Sequence, residues 1–102
     1  MSTTVSDNPE AERFEITVDG TLAGFAQYKL ARDRIAFVHT EVDDAYEGQG
    51  LAKVLVTHAL DEVRGRGLGV LPFCPYVRRF ISKNPDYLDL VPEGDRERFD
   101  LG

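Results

Sequence analysis

Between a strand-like run that ends at Val42 and a helix-like run that starts at Leu51, the chain reads Glu47-Gly48-Gln49-Gly50. A helix start leaves up to four N–H groups without acceptors and carries a partial positive charge. Glycines immediately ahead of it let an anion approach those donors closely, so the loop is suited to cradling a phosphate. Two glycines in a turn are also ordinary turn chemistry, and on the glycines alone both readings stand. A GxGxxG dinucleotide loop would need Gly or Ala where Lys53 stands, and a P-loop pattern is absent. Other chemistry-bearing residues are sparse: one cysteine, Cys74, and two histidines, His39 and His58, too widely spaced to suggest a zinc site.

The flanking elements decide what such a loop can do. Residues 14–18 (FEITV) alternate apolar and polar, as a half-buried strand does, and Asp19-Gly20 is a hairpin dipeptide. Leu22 to Leu30 reads as a second strand, with Gly24 marking a bulge or a close neighbour, and 35–42 (IAFVHTEV) as a third. From Leu51 to Val63 the apolar period becomes helical, with Lys53, Thr57, Asp61 and Arg64 on a polar stripe and His58 on the apolar side. Gly65 and Gly67 stop that helix. Residues 69–73 (GVLPF) form a fourth strand, which Pro72 ends or confines to an edge. A second helix over 76–84 starts beside Pro75 and closes at Asn84-Pro85. The expectation is an α+β domain of order β-β-β-α-β-α over residues 13–91, an antiparallel meander followed by a parallel β-α-β crossover. Residues 1–12 are expected to be a disordered tail and 92–102 a loose C-terminal tail.

The stretch from Val42 to Ala52 resembles the acetyl-CoA pyrophosphate loop of the GNAT (Gcn5-related) N-acetyltransferases. There an apolar strand end is followed by (Gln/Arg)-x-x-Gly-x-(Gly/Ala) and a helix. Gly50 and Ala52 match the two small positions, while Glu47 stands where Gln or Arg is usual. Residues 71–87 (LPFCPYVRRFISKNPDY), with HTEV (39–42) and EGQG (47–50), are similar to a subfamily of minimal GNAT-like domains that carry Pro-x-Cys-Pro-(Tyr/Phe)-Val and close on (His/Asn)-Pro-(Glu/Asp)-Tyr. The resemblance covers about residues 13–91. It implies a truncated GNAT-like acetyl-CoA-binding fold without the N-terminal helices that help larger members form an acceptor pocket.

The resemblance further implies acetyl-CoA as co-substrate, its pyrophosphate on the N–H groups of Gly48, Gln49, Gly50, Leu51, Ala52 and Lys53. Glu47 has no proton to donate, so the backbone must bind. The pantetheine arm would lie where the third and fourth strands splay, near Val42 and Cys74. The family's chemistry is direct attack of an amine on the thioester, which needs a base and a proton donor for the thiolate. His39 and Glu41, two apart on a strand, share a face, and either is a candidate base. Tyr76 is a candidate donor or a packing aromatic. Cys74 lines the thioester pocket, fills the core or acts as a nucleophile. The reaction class would be transfer of an acetyl group to a primary amine, a lysine side chain or a small amine. The alternative is a CoA-binding module without turnover, regulatory or bound to a partner.

Bulk properties are consistent with this. One domain fits 102 residues at 42% hydrophobic and 29% charged. A net charge of −6 argues against a nucleic-acid partner, and no apolar run reaches the ~20 residues of a membrane span. No metal is expected. The N-terminus lacks the basic and apolar regions of a signal peptide, so a cytoplasmic location is expected, as a monomer or weak edge-paired dimer.

Overall fold

Two tight turns fold the chain back on itself. Asp19 and Gly20 both have positive φ (50° and 84°), joining β2 (Arg13–Val18) to β3 (Thr21–Ala31). Arg32-Asp33 joins β3 to β4 (Arg34–Val42), with Arg32 at φ 56°. A computed structural model describes residues 2–102, and these form one sheet in the order β1-β2-β3-β4-β5, with β1 at Thr3–Asn8 and β5 at Gly69–Pro72. The first four strands are antiparallel neighbours, and β5 joins β4 in parallel. The helix α1 (Leu51–Arg66) carries the chain from β4 to β5; α2 (Pro75–Lys83) and a short α3 (Glu93–Arg96) follow. This is the expected α+β meander and crossover, with one strand added.

That added strand corrects the expectation for residues 1–12. Its residues are mostly polar, so no alternation marks it, but Val5 pairs with Ile16 and Asp7 with Phe14 on the core side. Asp7 then makes the strand's strongest polar links: the Tyr28 phenol donates to it at 2.6 Å and the Arg66 guanidinium of α1 at 2.7 Å. Burial and this hydrogen bond push the Tyr28 phenol up to about 12. The folded protein holds that proton to about 12, whereas a free phenol releases it near 10, so the stabilisation is whole below pH 10 and is lost as pH rises through 12. Tyr28→Phe is expected to destabilise the fold by about 1 kcal/mol at pH 7 and to shrink the loss of stability between pH 10 and 12. Urea titrations at pH 7 and 11 check both effects.

The C-terminal residues are also ordered. Leu90 and Val91 are buried, as their apolar character implies, and the Arg64 guanidinium grips Asp89 through both carboxylate oxygens at 2.7 and 3.1 Å. Phe99 is 3% exposed and meets the edge of Phe73 at 5.0 Å between ring centroids, so residues 92–102 are not a loose tail.

The core lies on one face of the sheet. Phe14, Ile16 and Val18 of β2, Ala26 and Tyr28 of β3, Ile35 and Phe37 of β4, and Val70 of β5 are buried there. Leu55, Val56, Ala59, Leu60 and Val63 of α1 and Val77, Phe80 and Ile81 of α2 belong to the same cluster. The opposite face carries Arg13, Phe25, Gln27, His39 and Glu41, half-buried or exposed. Gly65 lies inside α1 and only Gly67, left-handed at φ 72°, caps it. His58 is exposed rather than on the apolar side, because α1 turns a narrower stripe to the sheet than its apolar content suggests; Val54 is likewise 45% exposed.

Candidate functional site

The site begins with a defect in β4. Gln27 pairs with His39 and Tyr28 with Phe37, which leaves Val38 without an opposite residue on β3. Such a bulge adds one residue to a strand and changes its alternation. Upstream of it, Ile35 and Phe37 face the core; downstream, Thr40 and Val42 do, while His39 and Glu41 face the open side. A second bulge, opposite Ile16 and Thr17, leaves Ala23 of β3 without a partner on β2, and the neighbouring Gly24 stands between Ile16 and Val42. A Cβ at Gly24 would stand 2.5 Å from the Glu41 carbonyl oxygen, so glycine there permits the close approach. Both bulge and close neighbour were legible in that residue.

Just past the Val38 bulge, β4 and β5 part. Their ladder ends at Phe37 opposite Pro72, and one further bond, from the Cys74 N–H to the Phe37 carbonyl at 2.7 Å, turns the chain into α2. Proline at position 72 donates nothing to the sheet, and Pro75 presets the first turn of the helix. Residues 38–42 of β4 therefore run on without a strand partner on the β5 side among the described residues. Cys74 sits at the apex of this parting, 2% exposed, its sulfur 3.3 Å from the Thr40 hydroxyl.

The glycine loop closes the other end. Asp43 caps a 3₁₀ turn, Asp44–Tyr46, by accepting from the Ala45 N–H at 2.9 Å. Gly48 (φ 84°) and Gly50 (φ 72°) then take left-handed conformations that cost other residues free energy. Gly50 is the cap of α1 and supplies no side chain to it, and the first turn holds no acidic residue. The first helical bond runs from the Val54 N–H to the Gly50 carbonyl. The N–H groups of Leu51, Ala52 and Lys53 thus precede any intrahelical bond. A Cβ at Gly48 or Gly50 would meet nothing within 4 Å, so the backbone is approachable from outside. Val42, Asp44, Tyr46, Glu47, Gly48, Gly50, Leu51 and Ala52 line a depression of about 330 Å³, so two carboxylates stand at its rim.

This arrangement fits a pyrophosphate: uncovered donors, the positive end of a 16-residue helix, and no competing cap. Glu47 lines the same depression and forms no ion pair among the described residues. Glu47→Gln should therefore tighten CoA binding about two- to fivefold at low salt, an effect that fades as salt screens the charge. Calorimetry at two ionic strengths reads this directly.

The candidate chemical groups fall in two sets. His39 and Glu41 are brought together on the open face, Nε2 to Oε1 at 3.9 Å, with Phe25 6.1 Å from the imidazole between ring centroids. Glu41 also lines a cleft of about 340 Å³ with Gly24, Phe25, Val42, Asp43 and Asp44. Cys74 and Tyr76 lie on the helix side, where burial pushes the Tyr76 phenol up. The parting of β4 and β5 stands between the two sets. Sequence reasoning missed Thr40, the partner of Cys74; its one signal was the slip of apolar phase from Ile35 and Phe37 to Val38 and Val42. Among the described residues no group of three or more His, Cys, Asp or Glu is placed to hold a metal. No helix among the described residues is long and apolar enough to cross a membrane.

A meander that parts from a parallel strand over a glycine-capped helix is the architecture of the GCN5-related N-acetyltransferases. The family model described as GCN5-related N-acetyl-transferase matches residues 13–90, and the chain belongs to that family. Members use acetyl-CoA as co-substrate. The chain is 47% identical to Protein NATD1 of Bos taurus over 47 residues, 46% of this chain and 42% of that protein. It is 34% identical to the [ribosomal protein bS18]-alanine N-acetyltransferase of Escherichia coli over 58 residues, 57% of this chain and 39% of the enzyme. It thus spans well under half the length of these curated relatives. The solution structure of a GCN5-like protein from Staphylococcus aureus superposes with a TM-score of 0.67 at 21% identity, covering 87% of each chain, which shows the shared fold.

Proposed function

We propose that this chain is an acetyl-CoA-dependent N-acetyltransferase acting on a primary amine. The observation that carries the reading is the left-handed Gly50 cap, which leaves the first N–H groups of α1 uncovered beside the parting of β4 and β5. When bound, acetyl-CoA supplies a thioester whose carbonyl carbon takes the amine nitrogen while the sulfur leaves as thiolate. The backbone of residues 48–53 holds the pyrophosphate. The unpaired side of β4 near Val42 offers amide groups to the pantetheine arm, in the manner of strand addition. Glu41, with His39 beside it, removes a proton from the ammonium arriving over the open face. The Tyr76 phenol, neutral at pH 7 because a free phenol ionises only near about 10, gives its proton to the leaving thiolate and regains one from the nitrogen of the newly attached amine.

Cys74 lines this pocket and does not act as nucleophile. It is buried against Thr40, and among the described residues neither a base nor a cation lies within hydrogen-bond reach of the sulfur. Cys74→Ala is expected to keep acetyl-CoA binding and more than about a third of kcat, a covalent route being lost entirely without its nucleophile. Mass spectrometry of the wild type with acetyl-CoA alone should show no acetylated protein.

One observation favours a CoA-binding module without turnover: among the described residues no helix covers the face that bears His39 and Glu41, so the chain builds no enclosed acceptor pocket. Calorimetry with CoA and acetyl-CoA, followed by thiol release over a panel of amines that includes lysine peptides and polyamines, separates the readings. Binding with amine-dependent thiol release is the expected result. Binding without release favours the module, and no binding at high micromolar ligand sinks both.

A further inference from the structure

The sheet face turned away from the helices is unevenly charged. Over β2 its charges are matched. Arg13 stands 2.7 Å from Glu15, Asn8 donates to the same carboxylate at 3.2 Å, and the Arg13 guanidinium lies 4.7 Å from the centroid of the Phe25 ring. Over the end of β4 the charges are unmatched. The cleft of about 340 Å³ there is lined by Glu41, Asp43 and Asp44 and by no lysine or arginine. Among the described residues the one ion-pair partner of these three carboxylates is the His39 imidazole, 3.9 Å from Glu41. Turn capping uses one oxygen of Asp43, which accepts from the Ala45 N–H. The Asp43 N–H donates to the Ala23 carbonyl at 2.7 Å, so the pairing of β3 and β4 runs on past Val42 and fixes where that charge stands. Apolar surface lines the same cleft: Leu22 is 42% exposed and Phe25 is half-buried. Among the described residues no helix covers this face, so an amine placed at Glu41 keeps water on its outer side. Val42 lines both this cleft and the depression at the glycine loop, so the two are contiguous.

We propose that this face docks an extended basic segment of another protein, which presents a lysine to Glu41 and a second cation to Asp43 and Asp44. The inference rests on the N-acetyltransferase reading above and deepens it by naming the acceptor. Charge complementarity favours a polycation, since a lone ammonium matches only one of three carboxylates. The uncovered apolar side chains favour a polypeptide over a free polyamine. A peptide laid across Leu22 and Phe25 buries them and supplies the wall that this chain lacks. Glu41 and Asp43 are two residues apart on extended backbone, a separation of about 7 Å, as are alternate side chains of an extended peptide. A basic residue two positions from the acceptor lysine therefore meets the second carboxylate.

The test is acetyl transfer by the whole chain, read as kcat/KM from thiol release at saturating acetyl-CoA and low salt. Three acceptors are compared: a short, N-terminally blocked peptide with one central lysine and arginine two residues to either side, the same peptide with serine in place of the arginines, and spermidine. Wild type is expected to favour the arginine peptide over the serine peptide at least about fivefold, a preference that fades as salt is raised. It is also expected to favour the arginine peptide over spermidine. In an Asp43→Asn/Asp44→Asn variant the ratio between the two peptides should fall to within about twofold of one. Asparagine can still cap the turn, and a ratio of two acceptors cancels any change in acetyl-CoA affinity. Equal use of the two peptides by wild type, or a higher kcat/KM for spermidine, overturns the inference and leaves the acetyltransferase reading standing. So does a variant that keeps the full preference. Thiol release with none of the three also overturns the inference, and the wider amine panel then decides the acetyltransferase reading. The wild-type ratios decide the matter even if the double variant does not fold.

Discussion

Gly50→Val is expected to weaken CoA binding by at least about 100-fold while the helix behind it still forms. Two effects combine at this residue. A β-branched side chain at φ 72° is strained, by about 1–2 kcal/mol. The side chain would also project where no protein atom lies within 4 Å, so the fold accommodates it, and the approach to the N–H groups of α1 is what it blocks. Gly67 provides the control. It caps the other end of the same helix at φ 72°, with equally open space around a Cβ. Gly67→Val should lower stability by a similar amount and leave CoA affinity unchanged. Circular dichroism melts and calorimetry on the pair separate strain from occlusion. Equal affinity in the Gly50 variant and wild type would mean that the N–H groups of α1 do not hold the ligand.

Glu41→Gln is expected to lower kcat about 100-fold with little change in the KM for acetyl-CoA, the signature of a lost proton acceptor outside the donor site. The carboxylate is exposed on the open face, 3.9 Å from the His39 imidazole, and among the described residues makes no ion pair with Lys or Arg. Its substitution should leave thermal stability unchanged. His39→Gln should lower kcat less, since the imidazole acts beside the carboxylate. A reversal of the two effects would assign the base to His39, and full turnover in both variants would place proton transfer in bulk water.

The glycine loop was readable in the sequence because local chemistry fixes it: a left-handed cap must be glycine or nearly so, and α1 announces itself by apolar period. The strands from Phe14 to Val42 and the Asp19-Gly20 turn were legible for the same reason. What escaped depends on tertiary placement. The polar strand Thr3–Asn8 holds through one valine, a sheet edge and the Asp7 links to Tyr28 and Arg66, partners 21 and 59 residues away. Phe99 finds its place only because Phe73 is left half-exposed after α2 turns away from β5. Strict alternation from Ile35 and Phe37 would have set Glu41 among core residues, and only the unpaired Val38 corrects it.

The irregularity at Val38 has a keeper. Were β4 to straighten with its residues unchanged, His39 and Glu41 would rotate under the helices and Val42 would turn out to water. Burying an unpaired carboxylate is far more costly than tolerating one unmatched residue in a ladder. The polar pair thus acts as a ratchet pawl, holding the strand in the only phase that keeps both side chains wet. A chain that replaced them with valines would lose more than two reactive groups. It would release the catch on its own register, and the strand would be free to slip into a smooth, better-paired and chemically silent alignment.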